Sequence, residues 1–240
     1  MQPSTREPDA GPVLPVDRCA VIIPAYNEGK IIKQVVGDIH AAFPHVFVVD
    51  DGSADATSLM AQQAGATVLR HCVNVGQGGA LETGIRYAHS RGFEYFATMD
   101  ADGQHQVSDA LAMLEHMHGK RAEIDIVLGS RFLSVRSEIG RRKRFLLRGA
   151  TWLSRQLHGL PLTDTHNGLR VFGRKVAERM RFAHVDMAHA SDVYDIIRKY
   201  EFRFEELPVV IRYSDYSRSK GQPMLNAINI LVDFLFNRVK

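Results

Sequence analysis

The sequence predicts an α/β domain: a mostly parallel sheet flanked by helices on both faces. Two observations predict it. Short apolar runs alternate with stretches whose apolar residues recur at helical spacing. Polar clusters stand after the runs that end at Ile23, Val49 and Met99. In parallel sheets ligands bind beyond the carboxyl ends of strands, so those three clusters should converge.

The elements follow in order. Cys19 to Ile23 is a buried strand stopped by Pro24, and Ile32, Val35, Val36, Ile39 and Phe43 mark a helix. Val46 to Val49 is the second strand. Asp55 is the expected N-cap of a helix reaching about Ala64, and Ala66 to Leu69 is the third strand. A glycine-rich loop, Gly76 to Gly79, leads into a helix from about Ala80 to Ser90. Phe93 to Met99 is the fourth strand, Ser108 opens another helix, and Ile124 to Leu128 is the fifth strand. The second half is less regular. Ser191 to Tyr200 reads as helix, Phe204 to Tyr213 as strand, and Met224 to Lys240 as an apolar-rich helix.

The 240 residues suit one such domain. The expected division is a flexible tail over 1–18, the catalytic domain over 19–221 and an amphipathic helix over 222–240. A net charge of +3 gives no reason to expect nucleic acid as a partner, because that reading needs a clustered basic face. Two cysteines, Cys19 and Cys72, make no disulfide framework, so a reduced cytoplasmic compartment is expected. No run approaches the ~18 apolar residues of a membrane span, so membrane contact is expected to be peripheral. Leu225, Ile228, Leu231, Val232 and Leu235 on one face of the last helix, with the Arg141–Arg144 cluster, would provide it; packing on its own core or in a dimer is the alternative.

Asp100-Ala101-Asp102-Gly103-Gln104 is the most informative segment. Two carboxylates one residue apart, just past a strand end, can face one ligand. Paired hard oxygens, with Gln104 adding another, suit Mg²⁺ or Mn²⁺ that keeps positions for substrate phosphates. His105 is close enough in sequence to touch this site. Pro24-Ala25-Tyr26-Asn27-Glu28 follows the first strand: Tyr26 could pack on a nucleobase and Glu28 accept from ribose or base, while a plain helix start is the alternative. Asp51 is expected to bond the base or ribose, since adjacent Asp50 and Asp51 repel unless a donor is met there. Gly76 and its neighbours let backbone approach an anion at a helix N-terminus.

VIIPAYNE, VVDDGSADAT, NVGQGGALETG, MDADGQH, IVLGSRF and LTDTHNGLRVF stand in the order seen in family 2 glycosyltransferases. The set resembles the branch holding dolichyl-phosphate mannose synthase and related polyprenyl-phosphate glycosyltransferases. It covers about 19–221 of the chain. The resemblance implies a GT-A (Rossmann-like) fold, a GDP- or UDP-sugar donor, Mn²⁺ or Mg²⁺, and inversion at the anomeric carbon. Carried over by motif, Pro24, Tyr26, Asn27, Glu28 and Asp51 would hold the nucleotide, and Asp100, Asp102 and Gln104 the metal. Arg131 would meet a phosphate, Asp164 would lie on the acceptor side, and Arg218 and Lys220 would belong to a loop closing over the diphosphate. Leu169 stands where the family usually places an aromatic.

The expected reaction is hexose transfer to an acceptor, a lipid phosphate or a glycan hydroxyl. A hydroxyl acceptor needs a general base, for which Asp192 is the candidate. A phosphate acceptor needs cations, for which Arg131 and Arg148 are the candidates. A sugar nucleotidyltransferase is a weaker alternative, because PAYNE stands where a basic triphosphate-gripping loop is wanted. A binding module that merely keeps the fold is weaker still, given the intact Asp100/Asp102 pair. The sequence leaves the oligomeric state open.

Overall fold

The computed structural model describes residues 14–134, 160, 162–164, 167–182 and 189–212. It contains one seven-stranded sheet in the order β3-β2-β1-β4-β6-β5-β7. The strands are β1 (Cys19–Ala25), β2 (Val46–Asp50), β3 (Thr67–Arg70), β4 (Tyr95–Thr98), β5 (Ile126–Ser130), β6 (Arg170–Gly173) and β7 (Phe204–Pro208). The helices are α1 (Ile32–His40), α2 (Thr57–Gln63), α3 (Gln77–Ser90), α4 (Val107–Gly119), α5 (Arg174–Arg179) and α6 (His189–Lys199). All pairings are parallel except those of β6, which runs antiparallel to both β4 and β5. The expected mostly parallel sheet is therefore present.

Each face of the sheet buries its own apolar cluster. One holds Val21, Ile23 and Val48 under Val35, Val36 and Ile39 of α1 and Met113 and Leu114 of α4. The other holds Ile22, Val49 and Phe96 under Leu81 and Ile85 of α3 and Val193 and Ile197 of α6. Strands covered on both faces read as continuous apolar runs, which is why β1 and β2 were legible. Full burial of each such side chain stabilises the fold by about 1.5–3 kcal/mol.

Strand order reverses between β1 and β4, since the chain first winds outward to β2 and β3 and then returns to pair with the other side of β1. That reversal opens the crevice where ligands bind in such sheets. The helix α3 lies directly over β1 and β2 beside it. A Cβ on Gly84 would stand 2.5 Å from Ile22 Cγ2 and 2.9 Å from Val49 Cγ2. Only a bare glycine lets the helix sit so low, and its N-terminus is thereby fixed against the crevice.

Several boundaries differ from expectation. Helix α2 begins at Thr57 after Ala56 as N-cap, so Asp55 does not occupy the cap position, although its Oδ1 accepts the Thr57 N–H at 3.0 Å. Strand β7 stops at Pro208 rather than running to Tyr213. The packed chain also begins before Cys19: Val16–Arg18 forms a short 3₁₀ turn, Leu14 and Val16 lie on the core, and Arg18 pairs with Glu94. No helix among the described residues is long and apolar enough to cross a membrane. The expected C-terminal helix and the Arg141–Arg144 cluster lie outside the described residues.

Candidate active site

The three clusters do meet at one edge of the sheet. Past β1, Asn27 adopts a left-handed backbone with φ 54. Its N–H donates to Ser53 Oγ and its Oδ1 accepts from the Ala54 N–H, both at 2.9 Å. The Glu28 N–H donates to Thr57 Oγ1, and the Gly29 N–H to Asp55 Oδ2. These bonds sew the Pro24–Glu28 segment to the turn after β2. Tyr26 remains 48% exposed at the mouth of the crevice, a ring available for stacking.

The adjacent aspartates after β2 have separate partners. Asp50 is wholly buried and accepts the Ser53 N–H and the Ser58 hydroxyl, with Arg70 beside it. Burial alone would raise its pKa, but Ser53, Ser58 and Arg70 outweigh it and hold the carboxyl below its usual range. Asp51 accepts the N–H groups of Val75 at 2.9 Å and Gly76 at 2.8 Å, and meets His71 Nδ1 at 2.7 Å. His71 Nε2 in turn meets Thr83 Oγ1 of α3 at 3.0 Å. Asp51 thus fastens the loop before α3, whatever it also does toward a base. Gly76 enters that helix at φ 89, which a side chain would resist.

The carboxylates after β4 stand across the crevice. Asp100 Oδ1 accepts from Gln77 Nε2 at 3.1 Å, and Oδ2 meets His105 Nε2 at 3.0 Å. Since the carboxylate accepts, Nε2 of His105 carries the proton. Asp102 Oδ1 accepts the Gln104 N–H, and Oδ2 its side-chain amide at 2.6 Å. Burial first, then the charge of Asp100, raise the Asp102 pKa; Glu28 adds to this. A pair of carboxylates held together against such repulsion, with an amide beside them, fits a hard divalent cation. Among the described residues no group of three or more His, Cys, Asp or Glu is placed to hold a metal.

The far side of the crevice belongs to β5, β6 and β7. Arg131, directly after β5, is 9% exposed, and Asp164 is 2% exposed. Asp164 takes three bonds from Arg131: from the backbone N–H at 3.0 Å, from Nε at 2.6 Å and from Nη2 at 2.6 Å. Asp192 is buried in the first turn of α6. Gly168, entering β6, lies against Asp100: a Cβ there would stand 2.5 Å from both carboxylate oxygens. Asn167 uses its Oδ1 on the Leu169 N–H, while its buried Nδ2 has no partner among the described residues. Gly168→Ala is accordingly expected to push Asp100 aside and reduce turnover about 100-fold at nearly unchanged melting temperature. Steady-state kinetics with thermal melting checks this, and wild-type turnover in the variant would exclude the contact.

Arg148, Arg218 and Lys220 lie outside the described residues. The sequence reading missed Gln77, His71 and Glu206. Gln77 was readable only as part of a glycine loop, and His71 as the residue after a strand. Glu206, half-buried on β7, accepts the N–H groups of Thr163 and Asp164; its strand, FEELP, resembles in sequence an edge strand with solvated charges, although Glu205 and Glu206 both have protein partners.

The sequence profile of glycosyl transferase family 2 matches residues 20–181. The chain belongs to this family. It is 34% identical over 199 residues to polyprenol monophosphomannose synthase of Mycolicibacterium smegmatis, covering 77% of this chain and 74% of that one. It is 27% identical over 239 residues to UDP-N-acetylglucosamine–dolichyl-phosphate N-acetylglucosaminyltransferase of Methanococcus voltae, with 90% and 94% covered. In fold it is similar to glucosyl-3-phosphoglycerate synthase of Mycobacterium tuberculosis, solved with Mn²⁺ and UDP-glucose: TM-score 0.67 at 19% identity, covering 92% and 78%. The family 2 profile spans β1 through α5 and so takes in Asp51, Asp100, Asp102 and Arg131.

Proposed function

We propose that this family 2 glycosyltransferase moves a hexose, with inversion, from a GDP- or UDP-sugar to the phosphate of a polyprenyl phosphate. The observation that carries the acceptor is the Arg131–Asp164 pair at the end of β5. A phosphate oxygen is already anionic near neutral pH and needs a fixed cation rather than a base. Two relatives covering most of the chain are named for polyprenol and dolichyl phosphate products or acceptors, which supports the same reading.

On the donor side, Tyr26 would face the base, while Asn27, Glu28 and Asp51 frame the nucleotide. Gly76, whose own N–H is taken by Asp51, leads into the start of α3, whose first backbone N–H groups would face the diphosphate. Asp100, Asp102 and Gln104 would hold Mn²⁺ or Mg²⁺. A cation there neutralises charge on the departing diphosphate. Arg131 orients the acceptor oxygen toward the anomeric carbon, whose bond to the diphosphate oxygen breaks as the new C–O bond forms. No proton needs a base in that exchange. Such a protein would work at the membrane surface where its acceptor resides.

The test is direct. Labelled GDP- and UDP-sugars are incubated with Mn²⁺ and either a polyprenyl phosphate in detergent or a soluble glycan. Label in the lipid fraction, lost when EDTA is added, is expected. Label in the glycan alone would refute the phosphate acceptor.

A further inference from the structure

Glu206 is a carboxylate for which none of the motifs accounts. On β7 it is register-paired with Leu128, two residues before Ser130 ends β5, and so lies beside the strand that delivers Arg131. Its two oxygens take the Thr163 N–H at 2.9 and 2.8 Å, and one also takes the Asp164 N–H at 3.1 Å. The Thr163 hydroxyl is tied separately to Ser130 Oγ at 2.6 Å. The 163–164 turn is therefore held from two strands at once. Asp164 then grips Arg131 through three bonds.

We propose that Glu206 is a positioning residue for Arg131, acting through the 163–164 turn. The proposal rests on the phosphate-acceptor reading of Arg131. With its own N–H pinned, Asp164 has a fixed backbone, and its carboxylate meets the planar guanidinium as a fork on two nitrogens. The plane of the arginine is thus set by a residue on another strand.

A purely structural need would be met more cheaply. One hydroxyl oxygen could satisfy the two N–H donors, whereas the carboxylate grips the Thr163 N–H with both oxygens, and a glutamine there would set its own NH2 against that N–H and loosen the turn. A second acid next to Asp164 instead adds repulsion: burial first, and then Asp164 among the charges, push the Glu206 carboxyl above its ordinary range. Fully buried Tyr194 and Arg170 lie in the same electrostatic neighbourhood. The added negative charge is useful where a cation must be held in one place.

The experiment is a double-mutant cycle in the full chain. Glu206→Gln, Arg131→Ala and the double variant are compared for acceptor KM, donor KM, kcat and metal-dependent donor hydrolysis. Glu206→Gln is expected to raise acceptor KM about tenfold, with donor KM and donor hydrolysis unchanged. In the Arg131→Ala background the same change should have under about twofold effect. Arg131→Lys replaces the alanine variant if that one does not fold. An additive cycle, a wild-type acceptor KM in Glu206→Gln, or an equal loss of donor hydrolysis overturns the role given to Glu206. Arg131→Ala with unchanged acceptor KM instead overturns the role given to Arg131, so the two claims fail separately.

Discussion

Asp102→Ala is expected to lower sugar transfer about 10³-fold or more while the protein stays folded. Among the described residues the side chain bonds only to Gln104 of its own turn, so little packing leaves with it. What leaves is half of the carboxylate pair proposed to hold the cation. Calorimetry should show that the variant, like the wild type in EDTA, binds nucleoside diphosphate weakly. Stability should move the other way. The folded pKa of Asp102 is raised, so folding disfavours its ionised form and costs stability at neutral pH. That cost fades as pH falls through the raised pKa. In EDTA, Asp102→Asn should therefore melt higher than wild type at neutral pH, with the gain shrinking in acid. Undiminished transfer, or a lower melting temperature throughout, would contradict this account.

Arg131→Ala and Asp192→Asn should rank far apart. Losing a fixed donor to a reacting oxyanion costs about 10²-fold or more, and that is expected for Arg131→Ala. The variant also leaves Asp164 buried without its cation, a cost of roughly 3–5 kcal/mol. Activity must accordingly be expressed per folded molecule, measured well below the melting midpoint. A general base contributes about 10²–10⁴-fold, so a loss under about tenfold in Asp192→Asn would mark that residue as a helix-start carboxylate and not a base. The reverse ranking, with transfer to a soluble hydroxyl, would overturn the phosphate acceptor.

Much of the proposed donor half was legible in the sequence because Tyr26, Asp51 and Asp100 come just after the buried parallel strands β1, β2 and β4. Asp51 and Asp100 stand where the apolar runs of β2 and β4 end, and the structure brings them to one edge. The antiparallel course of β6 was not legible. A short run such as Arg170–Gly173 has the same period in either direction, and only its partners reveal which way it runs. Glu206 was hidden for a related reason: its role depends on a turn more than forty residues away, and an edge strand normally carries charge anyway. Asp51 shows the opposite case. Two neighbouring aspartates demanded donors, and the structure supplies Val75, Gly76 and His71 as well as any ligand.

The direction of β6 has a topological consequence. The chain meets the reaction edge at Tyr26, Asp51 and Asp100 while leaving the sheet, but at Gly168 while entering it. Connections of the first kind are short, and their length is policed by the helix that follows. The stretch between Ser130 and Arg170 instead starts and finishes at the same edge, because β5 and β6 run antiparallel. Arg131 at one of its ends and Gly168, against Asp100, at the other are thereby registered to each other by strand pairing.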